Sequence, residues 1–299
     1  GQGSQIVGMG SEFYNNFPNV KKIFLEADEV LNFKISKIIL DGPENELKLT
    51  QNTQPSILIV SYAIFSVLKK EFNFDMEKVK YFAGHSLGEY SALLCANAIN
   101  FKDALKLIFE RGKSMQEAVP QNQGSMIAVL GMTIDEIQNE IQLLPKNEIC
   151  EIANDNSNGQ VVVSGEIKAI QQLNDNLRLK KKRSIILSVS APFHCSMMKG
   201  AAVSMEEKIN KTNFDSFKPA IVSNVTAKEE TDTNLIKSLL IKQITSRVRW
   251  RESVNYMIKS GVKDFLEIGP GKVLSGLVKK ISKDVKITNV NTLLDLKND

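Results

Sequence analysis

The run Gly84-His85-Ser86-Leu87-Gly88 constrains this chain more than any other stretch of it. It follows a short β-branched and aromatic segment, 79–83, and precedes a helical pattern, which is the context in which a G-x-S-x-G sequence forms a sharp strand-to-helix turn. Such a turn lifts the serine hydroxyl above the edge of a sheet. The start of the following helix directs backbone N–H groups at any negative charge that develops there. Ser86 is therefore the candidate nucleophile, and the fold must supply a sheet beneath it.

The rest of the chain supplies that sheet. Runs at 79–83, 220–223, 264–268 and 286–290 read as short buried strands between helical segments, one of which, near 53–72, carries Pro55 at its first turn. This alternation argues for an α/β fold with a mostly parallel sheet. A different rhythm begins near Gly124. Strand 125–130, helix 133–143, strands 148–153 and 160–164, helix 167–177 and strand 184–189 follow one another in the order β-α-β-β-α-β. That is the order of a split ferredoxin-like unit, with Asn156-Ser157-Asn158-Gly159 as turn chemistry between the middle strands. The expected organisation is a large unit over 1–122 and 190–299, with a small inserted subdomain over 123–189.

A serine hydroxyl needs a base, and the chain has two histidines, His85 and His194. His85 is next to Ser86, but neighbouring side chains on a strained turn point apart, so it is expected to pack beside the turn. His194 lies in Ser190-Ala191-Pro192-Phe193-His194-Cys195, a loop after the small unit that can reach a cleft between the two. It is the better base. Cys195 is read as a buried thiol, because no second histidine is free to activate it.

On the helix predicted over 101–119, Ala104, Leu105, Leu107, Ile108, Met115 and Ala118 share one face, and Arg111 lies in the middle of it. A buried arginine requires an anionic partner. The sequence leaves two partners open, an internal carboxylate in a structural ion pair or the carboxylate of a substrate held by a two-pronged contact.

Composition narrows the remaining classes. The net charge of +4 comes from 38 basic and 34 acidic residues that are interleaved, so the field is too weak for a nucleic-acid footprint. Residues 180–183 are all basic, and read either as a solvated helix end or as a docking patch for an acidic partner. Cys95, Cys150 and Cys195 have no metal-ligand spacing, and two histidines make a zinc site implausible, so reduced thiols in a cytoplasmic protein are expected. No apolar stretch is long enough for a membrane span, and no leader-like segment precedes the first motif.

Five motifs resemble, in order and approximate spacing, those of the malonyl-CoA:acyl-carrier-protein transacylases. They are Gly1-Gln2-Gly3-Ser4-Gln5, the run GHSLGEY at 84–90, Arg111-Gly112-Lys113 with 115–120, the loop 190–195, and Glu267-Ile268-Gly269-Pro270-Gly271-Lys272. The resemblance implies a hydrolase-like core with a ferredoxin-like insertion. It also implies Ser86 as nucleophile, His194 as base, an oxyanion hole from the N–H groups of Gln2 and Leu87, and Arg111 on the malonyl carboxylate. Gln243 would orient His194 through its main-chain carbonyl, and Phe193 matches the malonyl-selective form of the loop.

Family members carry a short apolar strand and a proline before the first motif. The resemblance therefore implies a first strand that lies outside this sequence or is lost from its sheet. The implied reaction is transfer of malonyl from coenzyme A to an acyl carrier protein, without metal or redox cofactor, by an enzyme expected to be a monomer. The rivals are an acyltransferase of polyketide synthesis, a serine thioesterase or hydrolase on the same elbow, and a non-catalytic docking module. The hydrolase order of Ser, acid, then a late His is strained here, since no histidine follows His194.

Overall fold

A computed structural model describes residues 1–120, 122–189 and 191–297. Its nine strands among these residues are β1 (Tyr81–Ala83), β2 (Gly124–Leu130), β3 (Cys150–Ser157), β4 (Gln160–Glu166), β5 (Arg183–Ile186), β6 (Ala220–Val222), β7 (Glu229–Glu230), β8 (Asp264–Ile268) and β9 (Lys286–Val290). The chain is mixed α/β, and no described helix is long and apolar enough to cross a membrane.

Segment 123–189 follows the predicted order. Its sheet runs β3-β4-β2-β5, with β2 antiparallel to both β4 and β5. Alternation along β2 and β4 sends Ile127, Val129, Val161 and Val163 to one face, where they meet Ile137 of helix Ile134–Gln142 and Ile170, Leu173 and Leu177 of helix Ile167–Leu179. Met126 and Val162 point the other way, into the main core. The first helix begins at a reciprocal cap between Thr133 and Glu136. The turn between the middle strands is tighter than expected. Ser157 still pairs with Gln160, so only Asn158-Gly159 turns, with Gly159 at φ 71°. The last strand ends at Ile186 rather than 189.

The sheet under Ser86 differs from expectation. β1 pairs in parallel with β6, and β8 in parallel with β9, but the two pairs do not join into one sheet among the described residues. A cavity of about 880 Å³, lined by both β1 and β8, separates them. The long helix Thr50–Glu71 begins three residues before Thr53, which puts Pro55 inside it rather than at its start. That helix is almost wholly buried and packs against helix Phe101–Glu117, which carries Arg111.

Candidate active site

β1 delivers the chain to the elbow, and helix Gly88–Cys95 takes it away. Between them Ser86 adopts φ 54°, a left-handed conformation costly for a residue with a Cβ. Gly84 is required by contact, since a Cβ there would lie 1.9 Å from the carbonyl oxygen of Gly88. Gly88 itself has open space at that position, so only one of the two motif glycines is sterically demanded.

His194 reaches Ser86 from the far loop. Its Nε2 lies 2.8 Å from Ser86 Oγ, and its Nδ1 lies 2.8 Å from the carbonyl oxygen of Gln243. A carbonyl only accepts, so Nδ1 carries the proton and Nε2 is left free to accept one from the serine. Burial, and then the nearby Arg111 charge, push the His194 pKa down to about 3, which keeps the ring neutral and competent as a base. Gln243 can serve because it lies in the last turn of helix Thr233–Thr245, where carbonyl groups lack helical partners. Ser190, the first residue of the His194 loop motif, lies outside the described residues.

His85 does not approach the serine hydroxyl. Its Nε2 bonds Asn156 Oδ1 of β3 at 2.8 Å and its ring leans on Trp250, so it ties the elbow to the small unit. Burial lowers its pKa to about 4. Cys195 is a buried thiol that donates to the Pro192 carbonyl.

Arg111 is fully buried and aims at the same hydroxyl. Its Nη2 donates to Ser86 Oγ at 3.1 Å and to Gln243 Oε1 at 2.9 Å, and its Nη1 donates to Gln54 Oε1 at 2.7 Å. All three acceptors are uncharged. Among the described residues Arg111 makes no ion pair within 4.0 Å, and its buried Nε has no hydrogen-bond partner. A buried guanidinium with neutral acceptors only is short of an anion.

The N–H groups of Gln2 and Leu87 donate to no acceptor among the described residues. The Gln2 side chain is held by Thr50 Oγ1 at 3.2 Å, and Leu87 stands at the start of the elbow helix. Of the basic run, Lys180 pairs with Glu140 at 2.6 Å, inside the small unit.

Sequence reasoning missed three buried polar residues. Asn224 pins the elbow on both sides, accepting from Ser86 N at 2.7 Å and donating to the Gly84 carbonyl at 2.7 Å. Gln54 supports Arg111. Glu89 lies under the nucleophile, and burial raises its pKa to about 7 against the opposing hydrogen bonds from Asn224 and Gln243 and the charge of Arg111. Its signal was available, since it stands on a helix whose other residues, Tyr90, Ala92, Leu93, Leu94 and Cys95, are buried.

The acyl transferase domain profile matches residues 1–298. The chain is 42% identical over 293 residues to the malonyl CoA-acyl carrier protein transacylase of Bacillus subtilis (strain 168), covering 97% of this chain and 91% of that one. Among solved structures it is similar to an acyl-carrier-protein-S-malonyltransferase from Bartonella henselae, with TM-score 0.96, 39% identity and coverage of 99% and 95% of the two chains. It is equally similar to a malonyl-transacylase solved in complex with its type II PKS acyl-carrier protein, with TM-score 0.95, 38% identity and coverage of 99% and 96%.

Proposed function

The chain belongs to the acyl transferase domain family, and from that premise we propose that it transfers malonyl from malonyl-CoA to the phosphopantetheine thiol of an acyl carrier protein in fatty acid synthesis, by way of an acyl-enzyme on Ser86. The observation that carries this reading is the convergence on one hydroxyl of a neutral imidazole and an arginine with no carboxylate partner.

His194 Nε2 takes the proton of Ser86 as Oγ attacks the thioester carbonyl. Gln243 O stabilises the resulting imidazolium through Nδ1–H, the part an Asp plays in many serine enzymes. The oxyanion of the tetrahedral intermediate is received by the N–H groups of Leu87 and Gln2, donors of a kind worth about 3–4 kcal/mol each when preorganised. Collapse expels the coenzyme A thiolate, which takes the proton from His194. The carrier thiol then repeats the sequence in reverse, His194 accepting its proton and returning it to Ser86 Oγ. Arg111 holds the malonyl carboxylate, exchanging neutral acceptors for a charged one. The relative solved with a carrier protein supports such a protein as acceptor. A polyketide carrier is served by the same chemistry.

We read the two parallel strand pairs with their helices, 1–122 and 190–299, as the hydrolase-like core, and 123–189 as a ferredoxin-like subdomain that forms the other wall of the cleft. Its own aliphatic core supports that division. Intact-protein mass spectrometry after mixing with malonyl-CoA tests the function. A malonyl adduct should form on the native chain and disappear in Ser86→Ala, and discharge on addition of holo carrier protein. Full labelling of Ser86→Ala would overturn the assignment.

A further inference from the structure

Glu89 takes no part in the chemistry described above, although it is 1% exposed and lies directly behind the nucleophile. Its Oε2 receives the side-chain Nε2 of Gln243 at 2.7 Å and the main-chain N–H of Asn224 at 3.1 Å. Each of these partners is bonded onward to the reacting groups. Asn224 grips the elbow at Ser86 N and at Gly84 O. Gln243 Nε2 also donates to Ser86 O at 3.1 Å, while Gln243 Oε1 accepts from Arg111 Nη2 and its main-chain oxygen accepts from His194.

The side-chain amide of Gln243 has two orientations, and only one serves the site. With Nε2 toward Glu89 and Ser86 O, its oxygen faces Arg111. Flipped, its oxygen would face two acceptors, and its NH2 would face a guanidinium that can only donate. Because Glu89 Oε2 accepts from both Gln243 Nε2 and Asn224 N, the flipped state would set acceptor oxygens against one another at Glu89 and at Ser86 O. We propose that Glu89 is a positioning residue for acyl transfer, whose acceptor oxygen Oε2 locks Gln243 and Asn224 and thereby sets Ser86, His194 and Arg111 in one arrangement.

This rests on the site reading above, so the experiment needs a readout that does not depend on malonyl. The rate of Ser86 acylation by malonyl-CoA and the rate of its phosphorylation by diisopropyl fluorophosphate are measured on Glu89→Ala, Glu89→Gln and Glu89→Asp, each corrected for the folded fraction. Glu89→Ala should lower kcat about 30-fold or more and move KM less than about threefold, since misalignment acts on the reacting atoms rather than on coenzyme A binding. Phosphorylation should fall in parallel.

Glu89→Gln keeps an acceptor oxygen in place and should recover kcat to within about fivefold of the native chain. Glu89→Asp keeps the carboxyl group but withdraws its acceptor oxygen by one methylene, and should do worse than Gln. Should Glu89→Ala not fold, the order of Gln above Asp decides. A folded Glu89→Ala within about threefold of native kcat, a change confined to KM, or Asp restoring the rate while Gln does not would each overturn the proposal. Failure of malonyl-CoA to acylate the native chain, with the order of variants preserved toward the fluorophosphate, would instead overturn the substrate reading alone.

Discussion

Behind Ser86 the interior is polar, with Arg111, Gln243, Glu89, Asn224 and His194 each buried and bonded to one another through directional contacts. Between the four-stranded sheet of 123–189 and its two helices the interior is almost purely aliphatic. The two are built by different forces. A typical intramolecular hydrogen bond nets only about 1 kcal/mol but fixes an angle and a distance. Burial of an aliphatic side chain gives about 1.5–3 kcal/mol and specifies little beyond shape. Substitutions in the first region should therefore change chemistry more than stability, and those in the second should do the reverse.

The widest separation is expected between the two histidines. His194 is buried and His85 half-buried, and both are held neutral, but only His194 faces the hydroxyl. His194→Ala should slow acylation by about 10³–10⁴-fold, while His85→Ala, which loses a bond to Asn156 and contact with Trp250, should cost less than about tenfold. Single-turnover acylation of the two variants checks this, and comparable losses would erase the distinction. Because the His194 pKa lies near 3, the base stays neutral on acidification. The acid limb of kcat/KM should then fall below about pH 6, where an ordinary histidine would already be protonated.

Arg111 sharpens the comparison by substrate. Arg111→Ala should reduce malonyl transfer by about 10²-fold or more, the loss of a charge-assisted fork, and leave acetyl transfer unchanged or improved. Arg111→Lys should rescue little, since a point charge does not copy two parallel N–H donors. Parallel loss of both substrates with a lowered melting temperature would mean that the arginine acts as a structural post.

The two regions also differed in how far the sequence revealed them. Residues 123–189 were legible because a two-residue period in Ile127 and Val129 and a helical period in Ile170, Leu173 and Leu177 report burial directly. Arg111 was legible for the related reason that a charge on an apolar face violates the pattern. Ser86 and His194 were legible through local context. The roles of Glu89 and Asn224 were not: the apolar residues around Glu89 signal its burial but not its partners, since an acid in the first turn of a helix already has an ordinary reading as a partner for the helix dipole, and an asparagine after a strand reads as a turn. Their roles exist only through contacts more than 130 residues away in sequence.

The aliphatic region should respond as a stability element. Leu173 is fully buried in the small core, and Leu173→Ala should destabilise the protein by about 2–5 kcal/mol while the acylation rate per folded molecule stays within about twofold. Chemical denaturation and active-site titration on the same sample separate the two effects. A rate that falls at full occupancy of the folded state would show that the small core transmits strain into the cleft.

The smallest effect expected is also the one that asks most directly whether the polar interior is dry. Burial raises the Glu89 carboxyl from its ordinary value to about 7, and the N–H donors and the Arg111 charge do not offset that rise. A group whose folded pKa lies above its unfolded pKa binds its proton more tightly when folded. Its contribution to stability is therefore complete below about pH 4.5 and is lost as the pH rises through about 7. Glu89→Gln does not titrate in this range. The melting temperature of Glu89→Gln relative to the native chain should climb between pH 5 and pH 8, by an amount corresponding to roughly 1–3 kcal/mol. The groups facing the carboxyl, Arg111, Tyr90 and His194, keep a fixed charge over this window, because Tyr90 is pushed up to about 12, His194 down to about 3, and Arg111 remains cationic. A difference that stays flat across the window would mean that Glu89 is ionised throughout at little cost. The region behind Ser86 would then be solvated like a surface, and the contrast with the aliphatic core of 123–189 would be one of composition only.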